Sequence, residues 1–413
     1  MIRRILGNTI WISLSQGIGK LAAFILLIFI ARYLGDEMYG KFSFAMSLVG
    51  ILVVVADFGM GVLLIREVAR KKELTKKYLE NILVLKMFFS VIAYGLIYLC
   101  LIILQKDEIT VQLTILAGIF IVINSFELLF YTVFRAWEKM KFEAITKIIY
   151  DFSLLGIGML FIWKGFSAQM LMTSYIIATC ISFIISFTFI RKYFTKFKLE
   201  FDFSFSKKIL KQSWPFALSS IFIILYFKID TVMLSSMRSD QEVGWYNAAY
   251  NLVFALFMIP TVFDIIFYPI LSKAFSNKSE FKYVCKKLFT YAICIAIPAG
   301  LLVFFLREPL VNIIYADKYP LAIPILGILV WSFIINFINR FHFIINSANL
   351  QILITKQMAL GVLLNIGLNF FLIPKYGTIG AAWATVAAEI LGILVLSYYA
   401  LIKYRKKIFY DPA

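Results

Sequence analysis

Residues 36–49 read DEMYGKFSFAMSLV, and residues 240–253 read DQEVGWYNAAYNLV. In a single register Asp36, Gly40, Ala45, Leu48 and Val49 coincide with Asp240, Gly244, Ala249, Leu252 and Val253. Each copy runs into a long apolar stretch. Further along, Ala136 and Gly165 find counterparts in Ala348 and Gly377. A chain that repeats itself this way is built from two like halves.

Working outward from those copies, apolar runs long enough to cross about 30 Å of hydrocarbon, roughly 20 residues each, recur along the whole chain. They predict spans near 9–32, 40–65, 80–104, 111–134, 143–163 and 168–190 in the first half. In the second half they fall near 213–236, 243–272, 288–306, 320–345, 353–374 and 379–402, with a bend expected at Pro260. The predicted fold class is therefore an all-α integral membrane protein of twelve transmembrane helices in two six-helix lobes. Six crossings return the chain to its starting side, so the lobes share one orientation and relate by a parallel pseudo-two-fold repeat. The expected domains are 1–206 and 207–413, joined through the basic stretch Arg191–Lys211, a seam that could let the lobes rock.

Composition agrees. The chain is 62% hydrophobic and 15% charged, against roughly 45–50% and about 25% in soluble domains. Its net charge of +18 comes from Lys and Arg gathered in short clusters between spans. Anionic headgroups and the positive-inside rule account for that pattern, which excludes nucleic acid as a partner. Sorting the clusters by side places both termini in the cytoplasm. The basic start Met1-Ile2-Arg3-Arg4 leads into a run containing Gln16 and Lys20 with no small-residue cleavage site, as expected of a retained first helix. Cys100, Cys180, Cys285 and Cys294 lack CxxC spacing and read as small buried hydrophobes.

Four lysines, Lys20, Lys86, Lys147 and Lys228, fall inside spans. A charge at mid-bilayer costs about 2.5–3.5 kcal/mol on insertion scales, so those that persist usually face a bundle interior or water. Lys20 and Lys228, in the first and seventh spans, would suit a diphosphate. Ser13, Gln16, Gly17 and Lys20 follow helical spacing and make one polar face. Ser43 and Ser47 correspond in the repeat to Asn247 and Asn251, and further polar stripes carry Asn124, Glu127, Tyr131 and Arg135, or Asn336, Asn339 and Arg340. Such rows suit sugar recognition; they suit helix-to-helix hydrogen bonding equally. Asp57, Glu127, Asp230, Asp264 and Glu389 form the pool for proton or sodium coupling. Lys147 and Asp151, four apart, are expected to pair structurally. The single histidine, His342, excludes an HExxH zinc site, and there is no GxxxxGK[ST] phosphate loop.

Ala31-Arg32-Tyr33-Leu34-Gly35, Tyr39-Gly40, Asp57-Phe58-Gly59 and Arg66-Glu67-Val68-Ala69 resemble the start of polysaccharide-biosynthesis (O-antigen-type) flippases. Asn365, Asn369, Pro374-Lys375-Tyr376-Gly377, Gly380-Ala381-Ala382, Ala384-Thr385 and Glu389 resemble that family's end, within the multidrug/oligosaccharidyl-lipid/polysaccharide (MOP) flippase superfamily. The resemblance implies a MATE-like fold, alternating access and no cofactor. The implied cargo is undecaprenyl-diphosphate-linked oligosaccharide, moved to the outer leaflet of a bacterial cytoplasmic membrane, with polysaccharide polymerase machinery as a partner. An ion-coupled multidrug exporter of the same superfamily is a second reading. A membrane glycan polymerase is a third, disfavoured by the short outside loops.

Overall fold

The computed structural model describes residues 2–274, 277–347, 350 and 352–409, and the regular elements among them are helical. Among the described residues ten helices are long and apolar enough to cross a membrane. Two of these are of double length. Helix α1 (Ile2–Asp57) is broken at Gly35 (φ 75°, ψ 175°), and the last helix, Ile352–Phe409, is broken at Gly377 (φ 56°, ψ −134°). Only glycine adopts such backbone angles without a Cβ clash, so each break separates two spans and the ten helices make twelve crossings. Large apolar side chains such as Phe88, Val91 and Ile103 stand exposed along them, as a lipid solvent requires. The chain is thus a multi-pass, all-α membrane protein.

It folds as two compact units. The first comprises Met1–Leu34 and Lys41–Ile224, the second Gly35–Gly40 and Leu225–Ala413. Unit 1 holds most of α1, then α2 (Met60–Arg70), α3 (Thr75–Ile103), α4 (Glu108–Ala136), α5 (Lys141–Trp163) and α6 (Ala168–Tyr193). It also keeps the beginning of α7 (Phe203–Met237), where a Cβ on Gly59 would lie 2.5 Å from the Ala217 backbone nitrogen. An aromatic core that includes Phe130, Phe134 and Phe142 sits between α4, α5 and α6.

Unit 2 continues with α8 (Asp240–Leu256), α9 (Met258–Ala274), α10 (Lys278–Phe305) and α11 (Arg307–Tyr315). It ends with α12 (Ala322–Ile338), α13 (Phe341–Ser347) and α14 (Ile352–Phe409). The bend of the eighth span falls at Phe257, between α8 and α9, one turn before Pro260. Pro260 offers no N–H to the Leu256 carbonyl and its ring crowds it. Arg238 donates to the carbonyls of Ile373 (3.1 Å) and Pro374 (2.7 Å), covering acceptors left open where Pro374 and Gly377 interrupt α14.

Residues 35–40 seat on α8 through the repeated glycines themselves. A Cβ on Gly40 would overlap the Asp240 carbonyl oxygen, and one on Gly244 would overlap that of Asp36. Gln241 and Trp245 donate to Asp36 at 2.7 and 2.9 Å, and Asn251 donates to the Tyr39 hydroxyl at 2.6 Å. Replacing Gly244 with valine forces the two backbones apart, a penalty of about 1–3 kcal/mol for overpacking. A thermal melt of the purified Gly244→Val protein should show a midpoint several degrees lower; an unaltered melt would contradict this seating.

The stretch between α6 and α7 is tied to α3. Glu80 accepts from the Lys198 backbone N–H (2.7 Å), and Asn81 accepts from the Asp202 N–H (2.8 Å) and the Ser206 hydroxyl (3.0 Å). Asp202 caps α7 by accepting from the Phe205 N–H (2.9 Å) and pairs with Lys77 (3.2 Å). The Phe205 N–H first, and then Lys77, hold the Asp202 carboxyl below its usual range. A depressed pKa contributes stability above about pH 3.9 that fades as pH falls. Asn81→Ala should raise tryptic cleavage after Lys196 and Lys198 about fivefold. In the parent protein, peptic cleavage of the same stretch should rise below about pH 4; pH-independent cleavage would remove Asp202 from this clamp.

Candidate functional site

Each unit buries a carboxylate whose bonded partners are neutral. In unit 1, Glu127 of α4 is 1% exposed. Its Oε1 accepts from Tyr131 (2.7 Å) and Ser186 (3.2 Å), and its Oε2 from Ser182 (2.9 Å). Tyr131 lies one turn along α4, and the two serines lie one turn apart on α6, so helical spacing aims all three donors at one group. In unit 2, Asp230 of α7 is 4% exposed. Its Oδ2 accepts from Tyr246 of α8 (2.7 Å) and Thr385 of α14 (2.8 Å), and its Oδ1 from Asn369 of α14 (2.6 Å). Asn369 also donates to Asn365 (3.0 Å), and its own buried Oδ1 has no partner among the described residues. Glu389, one turn beyond Thr385, accepts from Tyr226 at 2.6 Å.

A carboxylate without an adjacent cation at such a depth is costly in its charged form. Tyrosine, threonine and asparagine oxygens around Asp230 are hard ligands that suit a proton or a small alkali cation. No group of three His, Cys, Asp or Glu side chains able to hold a metal ion occurs among the described residues.

Three other acidic groups are ion-paired. Asp57 accepts from Lys86 at 2.7 Å, with Lys86 wholly buried, and Glu143 binds Arg135 bidentately at 2.8 and 2.5 Å. Arg340, 1% exposed, pairs with Asp264 and donates to the carbonyls of Phe337 (2.6 Å) and Asn336 (2.9 Å), closing the end of α12. Asp151 forms no ion pair with Lys147 among the described residues. Its Oδ2 turns instead to the space where a Cβ on Gly19 would lie.

The remaining sequence-derived residues are dispersed. Lys20 is exposed on α1 and Lys228 half-buried on α7, and neither has an ion-pair partner among the described residues. They belong to different units. The side chain of Gln16, and Ala348 of the repeat, lie outside what the structure describes. Ser43 and Ser47 are buried in unit 1, Ser47 with no hydrogen-bond partner among the described residues, and Asn124 is half-buried. Asn247 bonds Thr231 (3.2 Å) and the Val243 carbonyl (2.9 Å), while Asn251 holds Tyr39. Sequence reasoning picked out Asp230 and Glu127 but not Tyr246, Ser182 and Ser186 as their donors. The four-residue spacings Ser182–Ser186, Asn365–Asn369 and Thr385–Glu389 were the available signal.

Two units of bundled crossing helices, each with a buried carboxylate, define a polytopic membrane protein. Solved structures share that fold. A lipid II flippase MurJ in an inward closed conformation aligns with a TM-score of 0.75 at 19% identity, covering 94% of this chain and 87% of that one. An inward-facing multidrug resistance MATE family transporter aligns with a TM-score of 0.66 at 15% identity, covering 96% and 99%. The profile of the family described as "Polysaccharide biosynthesis protein" matches residues 5–275, and the chain belongs to that family. A second profile, described as MatE, matches residues 215–371. Among curated relatives, a putative O-antigen transporter of Shigella flexneri is 25% identical over 410 residues, covering 95% of this chain and 97% of that protein. A probable low-salt glycan biosynthesis flippase of Haloferax volcanii is 23% identical over 388 residues, covering 91% and 79%.

Removing either carboxylate strands its donors in an apolar interior, at about 1–3 kcal/mol for each group left unpaired. Glu127→Ala and Asp230→Ala should therefore each lower the melting midpoint. Glu127→Gln, which keeps an acceptor for Tyr131, should recover most of the loss; equal damage from Ala and Gln would mean that the hydroxyls are not what the carboxylate serves.

Proposed function

We propose that this protein is a flippase that moves a lipid-linked glycan, carried on undecaprenyl diphosphate, from the cytoplasmic to the outer leaflet of a bacterial cytoplasmic membrane. The observation that supports this most is similarity along nearly the whole chain to proteins named as an O-antigen transporter and a glycan flippase, within a polysaccharide biosynthesis family. Both termini are cytoplasmic in this reading, following the basic clusters. The repeats 1–206 and 207–413 alternately expose the cargo to each side. Translocation makes and breaks no covalent bond, so the protein is a transporter and not an enzyme. A polysaccharide polymerase is the class of partner that would consume the flipped product.

Lys20 and Lys228 are assigned to the diphosphate, because neither has an ion-pair partner among the described residues, whereas Lys86 is held by Asp57 of α1. Gln16, Ser43, Ser47, Asn124, Asn247 and Asn251 are assigned to the glycan. Arg340, already neutralised by Asp264, contributes by holding the α12 break. Asp230 with Glu389, and Glu127, are the groups that take up a proton or sodium ion; Asp57 is tied to Lys86 and serves that role only if the pair opens.

Deleting the gene should cause a lipid-linked glycan to accumulate on the cytoplasmic leaflet. The double variant Lys20→Ala, Lys228→Ala should restore membrane-inserted protein without restoring export. Full export by that variant would remove the diphosphate assignment, and no accumulated glycan in the deletion strain would remove the flippase reading. The MatE match over 215–371 favours an ion-coupled multidrug exporter as the second reading; drug sensitivity of the deletion strain without glycan accumulation would select it.

A further inference from the structure

A lateral groove in unit 1, apart from every residue assigned above, has the chemistry of a phospholipid site. It encloses about 390 Å³, within the range of small-molecule pockets. Phe130 of α4 forms its floor, with Phe183 at 5.4 Å and Phe187 at 6.2 Å between ring centroids making the α6 wall. Met87 of α3 makes the other side. The stretch after α6 crosses its end, Phe197 standing 5.8 Å from Phe187 and Leu199 lying 59% exposed. The groove therefore opens to the surroundings of the helices and not into their core.

Its single polar lining residue is Lys198. Arg191, one turn beyond Phe187 on α6, does not line the groove itself but places its guanidinium 5.6 Å from the centre of that lining ring, so a second cation stands close by. Neither has a carboxylate partner among the described residues. The acids nearby are already engaged: Glu80 accepts the Lys198 backbone N–H and lies 3.7 Å from Lys76, and Glu200 lies 3.8 Å from the same lysine. An aromatic trough that ends at two free cations complements a hydrocarbon chain that ends at a phosphate.

We infer that this groove holds one acyl chain of an anionic glycerophospholipid, with its phosphate between Lys198 and Arg191. A glycan carrier is the poorer fit, because the lining offers none of the hydroxyls or amides that sugars require. The occupant would also press against Phe197 and Leu199, so the lipid becomes part of what fastens the stretch between α6 and α7 to unit 1. This inference does not depend on what the protein transports.

The test uses the full chain in nanodiscs containing phosphatidylglycerol or phosphatidylcholine with a photoreactive group on the acyl chain, followed by peptide mapping. Phosphatidylglycerol should label the segment 183–199 about fivefold more strongly than phosphatidylcholine, the effect expected of even one basic residue near an anionic headgroup. Arg191→Ala with Lys198→Ala should bring the two lipids level while the thermal melt stays that of the parent. Should that double variant fold poorly, Leu199→Glu decides, since it adds an anion at an exposed position and disturbs no buried packing. Equal labelling of the parent by both lipids, no labelling of this segment, or displacement of phosphatidylglycerol by a smaller amount of polyprenyl phosphate would each overturn the assignment.

Discussion

A carboxylate taken out of water is tolerated only where the protein replaces its solvation, because the uncompensated ion costs several kcal/mol. That constraint organises the interior of both units. Asp57, Glu143 and Asp264 receive a full positive charge from Lys86, Arg135 and Arg340. Glu127 and Asp230 receive hydrogen bonds from hydroxyl and amide groups and no charge at all. The ion-paired groups are neutral as pairs and add rigidity. The two carboxylates with neutral donors have no charge beside them, the setting in which a buried carboxyl is least costly when it is neutral. Their donors come from separate helices, α4 with α6, and α7 with α8 and α14, so the state of one charge bears on the spacing of several helices.

Backbone demands shape the molecule in parallel. Every break in a membrane helix releases carbonyls that need a donor. Two arginines answer that demand, Arg238 at the α14 break and Arg340 at the end of α12. Some basic residues near helix ends are therefore fixed by local hydrogen bonding, and only the exposed clusters are left to report orientation.

Much of the fold was legible in the sequence because hydrocarbon thickness imposes a length on each apolar run. The twelve spans and a bend near Pro260 both express local rules. The bend lies at Phe257 because proline disrupts the turn before it. The site was legible only in its charged members. Glu127, Asp230 and Glu389 stand out as carboxylates in apolar runs, whereas Ser182 or Tyr246 is unremarked until distant helices pack and bring the hydroxyl to the acid. Arg340 read as one member of a polar stripe; its partner Asp264 lies on α9, a pairing that helical spacing within one element does not reveal.

The internal repeat sharpens this distinction between packing and chemistry. Where the two copies agree, at Gly40 with Gly244 and Asp36 with Asp240, the residues permit or make a close backbone contact. Where they differ, Ser43 and Ser47 give way to Asn247 and Asn251, and the second copy turns those amides to Thr231 and Tyr39. Side chains that only bond within their own unit are free to diverge once the backbone crossing is secure, since each local network needs to satisfy only itself. The glycine crossing has no such freedom, because any Cβ there meets a carbonyl oxygen that cannot withdraw without moving its helix. This is why the repeat stays readable at its contact glycines after the polar interior of each half has taken its own course.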